Sequence, residues 1–149
     1  MEEKEDEVIM VEYHRQGQDG HFLALGSPAL PDMHIDYTGI PQDQRAGTAN
    51  RLLCASALYC FASTLGSALI ARGATIKSLS GRAVSQKEKD DYYRTKVSRI
   101  RIEIDVNVEE KDLPILEKCQ KIMERGCLIT YSLDGGIEIE HSIKRAEGN

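Results

Sequence analysis

Four cysteines, Cys54, Cys60, Cys119 and Cys127, are the residues of this 149-residue chain with chemistry beyond packing. A thiol serves as a small buried hydrophobe, a metal ligand or a nucleophile, and its neighbours separate the roles. Cys54 and Cys60 lie six apart on one helical segment. That spacing sets them about 120° apart around the axis and about 9 Å along it. A disulfide needs Cα atoms within roughly 7 Å, so these two cannot bond each other. No C-x-x-C or H-x-x-x-H spacing occurs, and His14, His21, His34 and His141 are scattered over strands and loops, so neither a metal nor another cofactor is expected. Cys119 falls in the apolar stripe of its helix and reads as core filler, as does Cys54. Cys60 shares a helix face with Ser56, Ser63 and Ser67. Such a face lines a pocket or wet seam, or merely lets backbones approach. Cys127 follows Gly126 at a backbone corner, where its side chain need not join the stripe. From the residues alone, Cys60 and Cys127 stay open between packing and chemistry.

The elements that must position these thiols follow from hydrophobic period and turn residues. "VIMVEY" (8–13) and "HFLAL" (21–25) flank the turn-rich "RQGQDG" and predict a hairpin, with "MHIDYTGI" as a third strand. Thr48 is placed to cap a helix running to Arg72, and Gly73 to terminate it. Residues 75–84 form a strand pattern, and "SQKEKDDYYRTK" a solvated excursion. "SRIRIEIDVNV" then alternates strictly, with Ile100, Ile102, Ile104, Val106 and Val108 on one face. "KDLPILEKCQKIMERG" is an amphipathic helix closed by Gly126, and "GGIEIEHSI" predicts a last strand bearing Ile137, Ile139 and Ile143. The resulting order βββ-α-ββ-α-β does not alternate regularly, so the class is α+β.

Composition excludes several functions. The net charge is −5, most of it in "MEEKEDE", so residues 1–7 read as a solvated acidic tail before one domain spanning 8–149. The nearly neutral body has no basic stripe, and tryptophan is absent, so nucleic acid is not an expected partner. An acidic start lacks the positive region of a secretory leader, which places the chain in the reducing cytoplasm. Leu52 to Ala71 is uncharged over a membrane-spanning length, yet only seven of those residues are Leu, Ile or Phe. A helix buried all round inside a protein or dimer fits that composition, and no membrane partner is expected.

The ordered combination resembles the OsmC/Ohr family, named for osmotically inducible protein C and organic hydroperoxide resistance. "LLCASALYCF" is similar to that family's central-helix pattern L-L-x-A-x-x-x-x-C, preceded here by "RAGTAN"; "LEKCQKIMERGCLI" is similar to the later helix that delivers the second cysteine. The strands "RIRIEIDVNV" and "GGIEIEHSI" flank that helix in the family's order. The resemblance covers roughly residues 8–144. It implies an OsmC-like fold, an intertwined homodimer with long central helices, and two facing thiols near the dimer interface. By position, Cys60 matches the peroxidatic cysteine and Cys127 the resolving one. The implied activity is a thiol-dependent peroxidase acting on a small organic hydroperoxide or hydrogen peroxide, recycled by a dithiol reductant.

Three positions depart from the family pattern. A thiolate in mid-helix gains nothing from a helix N-terminus and calls for a nearby cation. The family's arginine is held by a glutamate ten residues before the first cysteine; that position is Asn50 here. Arg15, Arg45 and Arg51 are the candidate guanidiniums, and Leu128 stands where a proline often follows the second cysteine. Two other readings compete with the peroxidase: a fold relative binding a small apolar or thiol ligand in the cysteine pocket, and a structural dimeric module with inert thiols.

Overall fold

A computed structural model of the chain describes residues 8–147, so the acidic tail lies outside the described residues. The chain divides at Gly47/Thr48 into two compact units. The first holds β1 (Glu12–Gln16), β2 (Gly20–Ala24) and β3 (Met33–Asp36), an antiparallel sheet in the order β1-β2-β3. The hairpin turn sits where "RQGQDG" places it: Gly17 takes φ +71°, and Gln16 pairs with Gly20. That turn fixes the register, which pulls β1 towards Gln16 and leaves Val8–Val11 outside any strand.

The second unit is built on α1 (Thr48–Ala71), β4 (Ile76–Lys89), β5 (Thr95–Val108), α2 (Leu113–Met123) and α3 (Leu128–Gly135). The fold class is α+β, as the sequence predicts. α1 ends in a Schellman arrangement: Ala74 N–H bonds the Leu69 carbonyl at 3.0 Å, Gly73 N–H bonds that of Ile70, and Gly73 takes φ +85°. The core is Leu65, Leu69, Ala74, Val108, Cys119 and Met123, with Phe61, Leu79, Ile104 and Val106 packed around it. Buried Asp112 ties α2 to the start of β4 by accepting from Thr75 N–H at 2.9 Å.

The structure corrects four expectations. The solvated excursion shrinks to residues 90–94, because Ser85–Lys89 continue β4 and pair with Thr95–Ile100 of β5. Its turn is closed by the Asp90 carboxylate, which accepts from the N–H groups of Tyr92 and Arg94, each at 2.9 Å. The last strand is not formed. Residues 137–143 carry no strand partner, and Ile137, Ile139 and Ile143 are exposed. An alternating segment becomes a strand only where a free sheet edge takes its N–H and C=O groups. Third, α1 is not buried all round within one chain: its buried residues are Ala57, Leu65, Gly66 and Leu69, while Tyr59 and Ile70 face outward. By length and hydropathy alone, Gln42–Ala71 passes for a membrane span, with 22% of the span's window buried in the fold. Finally, a helix not anticipated from the sequence, α3, begins directly after Cys127.

Candidate functional site

Cys60 lies near the middle of α1, on the side packed against α3. Its thiol faces that of Cys127, near enough for each to displace the other's pKa. The two sequence candidates are thus brought together. Cys54 and Cys119 are elsewhere: Cys54 Sγ bonds Asn50 Oδ1 at 3.7 Å, and Cys119 is wholly enclosed in the core.

Cys127 owes its position to two adjoining helix ends. Gly126 breaks away from α2 with φ +80°, a conformation that favours glycine, and its N–H bonds the Met123 carbonyl. A Cβ there would fall 2.6 Å from Thr130 Oγ1. The chain then turns extended at Cys127 (φ −104°, ψ −179°), which caps α3. The cap is reciprocal. Thr130 N–H donates to Cys127 Sγ at 3.4 Å, and Cys127 N–H donates to Thr130 Oγ1 at 2.9 Å. Thr130 Oγ1 also lies 3.3 Å from the sulfur. This is a capping box with a thiol in the position usually held by a hydroxyl.

The pair is electrostatically asymmetric. Burial raises the Cys60 pKa first, the Cys127 thiol adds to the rise, and the Ile129 N–H and Thr64 hydroxyl only partly oppose it. Burial also works against a charge on Cys127. There it is outweighed by hydrogen bonds from the Cys60 thiol, the Thr130 hydroxyl and the Thr130 and Ile129 N–H groups, so its pKa is lowered. The expectation that a mid-helix thiolate gains nothing from a helix N-terminus therefore needs correction. Cys60 sits in the middle of its own helix but beside the first turn of another.

The guanidiniums expected from the N-terminal residues are engaged within their own unit. Arg15 folds onto its hairpin, donating to the Gly17 and Gln18 carbonyls, and Arg45 pairs with Asp19 at 2.9 Å. Asn50, in the place of the family glutamate, accepts from Cys54. Among the described residues, no group of three or more His, Cys, Asp or Glu is arranged to hold a metal ion. Thr130 and the α3 N–H groups went unnoticed in the sequence, although C-x-x-T directly after a helix-ending glycine is the signal of a capped helix start.

Two cavities share Thr130. One of about 390 Å³ lies between α1, β5 and α3, lined by Leu53, Ala57, Ile100, Ile102 and Leu133. The other, of about 330 Å³, is lined by Phe61, Met123 and Tyr131. Neither cavity is lined by a cysteine; Thr130, the partner of Cys127 in the cap, is where they adjoin the thiol pair.

Comparisons with known proteins show the family and the fold. A family model described as OsmC-like protein matches residues 42–142. A solved structure, an OsmC-like protein of unknown function from Vibrio cholerae, superposes with a TM-score of 0.62 at 14% identity, covering 86% of this chain and 93% of that one. That likeness is one of fold. Among curated proteins, none matches.

Proposed function

From the premise that the chain belongs to the OsmC-like protein family, we propose that it is a two-cysteine peroxidase reducing organic hydroperoxides or hydrogen peroxide in the cytoplasm. The observation that carries this reading is that Cys60 and Cys127 face each other where α1 packs on α3, each displacing the other's pKa. Cys60, the more exposed of the two, attacks the distal peroxide oxygen and expels an alcohol or water, becoming a sulfenic acid. Cys127 condenses with it to a disulfide and releases water. A dithiol reductant then restores both thiols. Mild peroxide followed by proteolysis and mass spectrometry is expected to yield a reversible 60–127 disulfide within one chain. A dominant 54–119 linkage, or no linkage, overturns the assignment.

A fold relative that only binds an apolar or thiol ligand is the second reading, favoured by Asn50 and by the apolar cavity wall of Leu53, Ala57 and Ile100. Retention of such a ligand with no consumption of peroxide selects it.

The working unit is a homodimer in this proposal. Tyr59 and Ile70 of α1, Leu128 and Tyr131 of α3, and the alternating Ile137, Ile139 and Ile143 leave more apolar surface open than a lone chain keeps in water. A second copy is the occupant that covers it. Sedimentation equilibrium is expected to give twice the chain mass of 16.6 kDa; a stable folded monomer at micromolar concentration removes the dimer from the proposal.

A further inference from the structure

We infer that the cavity between α1, β5 and α3 binds a small apolar α-amino acid, Arg99 taking its carboxylate, Asp134 its ammonium and the seam between helix and strand its side chain. The inference goes beyond the thiol chemistry proposed above and does not rest on it, because neither cysteine lines this cavity. The interior is apolar. Leu53 and Ala57 sit one turn apart on α1, Ile100 and Ile102 share one face of β5, and Leu133 comes from α3. These side chains are buried or half-buried, whereas Ser98, Arg99 and Asp134 are exposed and form the mouth. The volume of about 390 Å³ lies near the lower end of the roughly 300–1,000 Å³ of small-molecule sites, which suits a compact ligand. None of the apolar side chains assigned above to the dimer face lines the cavity, so the second copy proposed there does not account for it.

The strand is irregular where the cavity forms. Opposite Gln86 and Lys87 the ladder steps from Arg99 to Val97, leaving Ser98 as an extra residue. Successive side chains of a regular strand point to opposite faces, so a run of consecutive residues does not line one cavity. The bulge lifts that restriction: Val97, Ser98, Arg99 and Ile100 all line it. The Ser98 hydroxyl donates to the Gln86 carbonyl at 3.2 Å and pins the bulge across the ladder.

Charge selects the ligand. Arg99 and Asp134 are the charged residues of this lining, and they are of opposite sign. They form no ion pair with each other, and neither side chain has another hydrogen-bond or ion-pair partner among the described residues. Two opposite charges held apart at one mouth match a molecule that carries both. A guanidinium presents a planar fork of donors to a carboxylate. Asp134 stands in the last turn of α3, where the helix carbonyls add negative potential for an ammonium. A ligand with a carboxylate alone leaves Asp134 facing a like charge, and one with an amine alone does the same to Arg99. Glu124 and Arg125, at the end of α2, line the adjoining cavity and not this one, so the balance is set by Arg99 and Asp134.

Isothermal titration calorimetry of the full chain with phenylalanine tests the site. Saturable binding is expected, about tenfold tighter than for phenylalaninamide, which lacks the carboxylate, or for hydrocinnamate, which lacks the ammonium. Alanine, which lacks the ring, should bind at least about tenfold more weakly. This analogue series is run on the wild-type chain and needs no variant to fold. In Arg99→Gln, phenylalanine should bind no better than phenylalaninamide; in Asp134→Asn, no better than hydrocinnamate. Both positions are exposed, so melting curves should match the wild type and separate lost binding from lost fold. The readout involves no peroxide, so the peroxidase reading stands or falls separately. Hydrocinnamate or phenylalaninamide binding as tightly as phenylalanine, folded variants that keep the wild-type preference, or no saturable binding of phenylalanine overturns the inference.

Discussion

Cys60→Ser is expected to reduce peroxide consumption to the rate of buffer, whereas Cys127→Ser completes one turnover and stops. The difference follows from the role proposed for each sulfur. Cys60 forms the bond to oxygen, and a serine hydroxyl at that position is not nucleophilic enough to cleave a peroxide. No other thiol is open to peroxide in its place: Cys127 is only 4% exposed, Cys54 is turned towards Asn50, and Cys119 is sealed in the core. Cys127 acts on the product of the first step. Without it, the Cys60 sulfenic acid persists and a second peroxide carries it to the irreversible sulfinic state. Continuous assay with an organic hydroperoxide and a dithiol reductant, with intact-mass measurement of Cys60, checks both. Peroxide consumption by Cys60→Ser, or sustained turnover by Cys127→Ser, contradicts the assigned roles.

The largest loss of stability is expected at Leu69. Its side chain is 0% exposed, in the cluster with Leu65, Ala74, Val108, Cys119 and Met123 where α1, α2 and the β4–β5 hairpin meet. Leu69→Ala removes buried carbon and leaves a void that a helix anchored by the Gly73 turn cannot readily close, costing about 2–5 kcal/mol. The denaturation midpoint should fall with an unchanged denaturant slope. The adjacent Ile70, 66% exposed, is an internal comparison. In a lone chain Ile70→Ala changes stability by about 0.5 kcal/mol or less. A loss matching that of Leu69→Ala instead reports that a second copy covers this face of α1.

The parts of the fold legible in the sequence are those whose signal is local and repeated. The alternation from Ile100 to Val108 gave the strand and its buried face, and the stripe through Cys119 with Gly126 gave α2 and its end. Gly73 marked the stop of α1 within a residue or two. The failures occur where a neighbour decides. Ser85–Lys89 have the composition of a loop, yet their backbone is drawn into the ladder by β5, with Lys87 opposite Val97 and Glu88 opposite Lys96. Residues 137–143 have the pattern of a strand and lack an edge to complete it. At the site, the cysteine pair was legible through the family resemblance. The helix that tunes the pair was not, because "LITYSLDG" is short and its cap is a cysteine rather than the serine, threonine or aspartate that announces a helix start.

The long β4–β5 hairpin bears on how quickly the C-terminal unit folds. Its turn, residues 90–94, closes a short loop held by Asp90. The first rung beyond it joins Lys89 to Thr95, and the last joins Ile76 to Val108. Each rung enlarges the closed loop by a few residues, and loop entropy grows only as the logarithm of length. The ribbon can therefore zip from its tip without a distant encounter between strands. α1 needs only contacts along its own helix to form, and α2 follows β5 after a few residues. Low contact order of this kind belongs to fast folders. The cysteine pair is the late event: Cys60 and Cys127 lie on opposite sides of the whole hairpin in the chain. Their thiols come together only once α1 and α3 have docked, so the cysteine pair is assembled last.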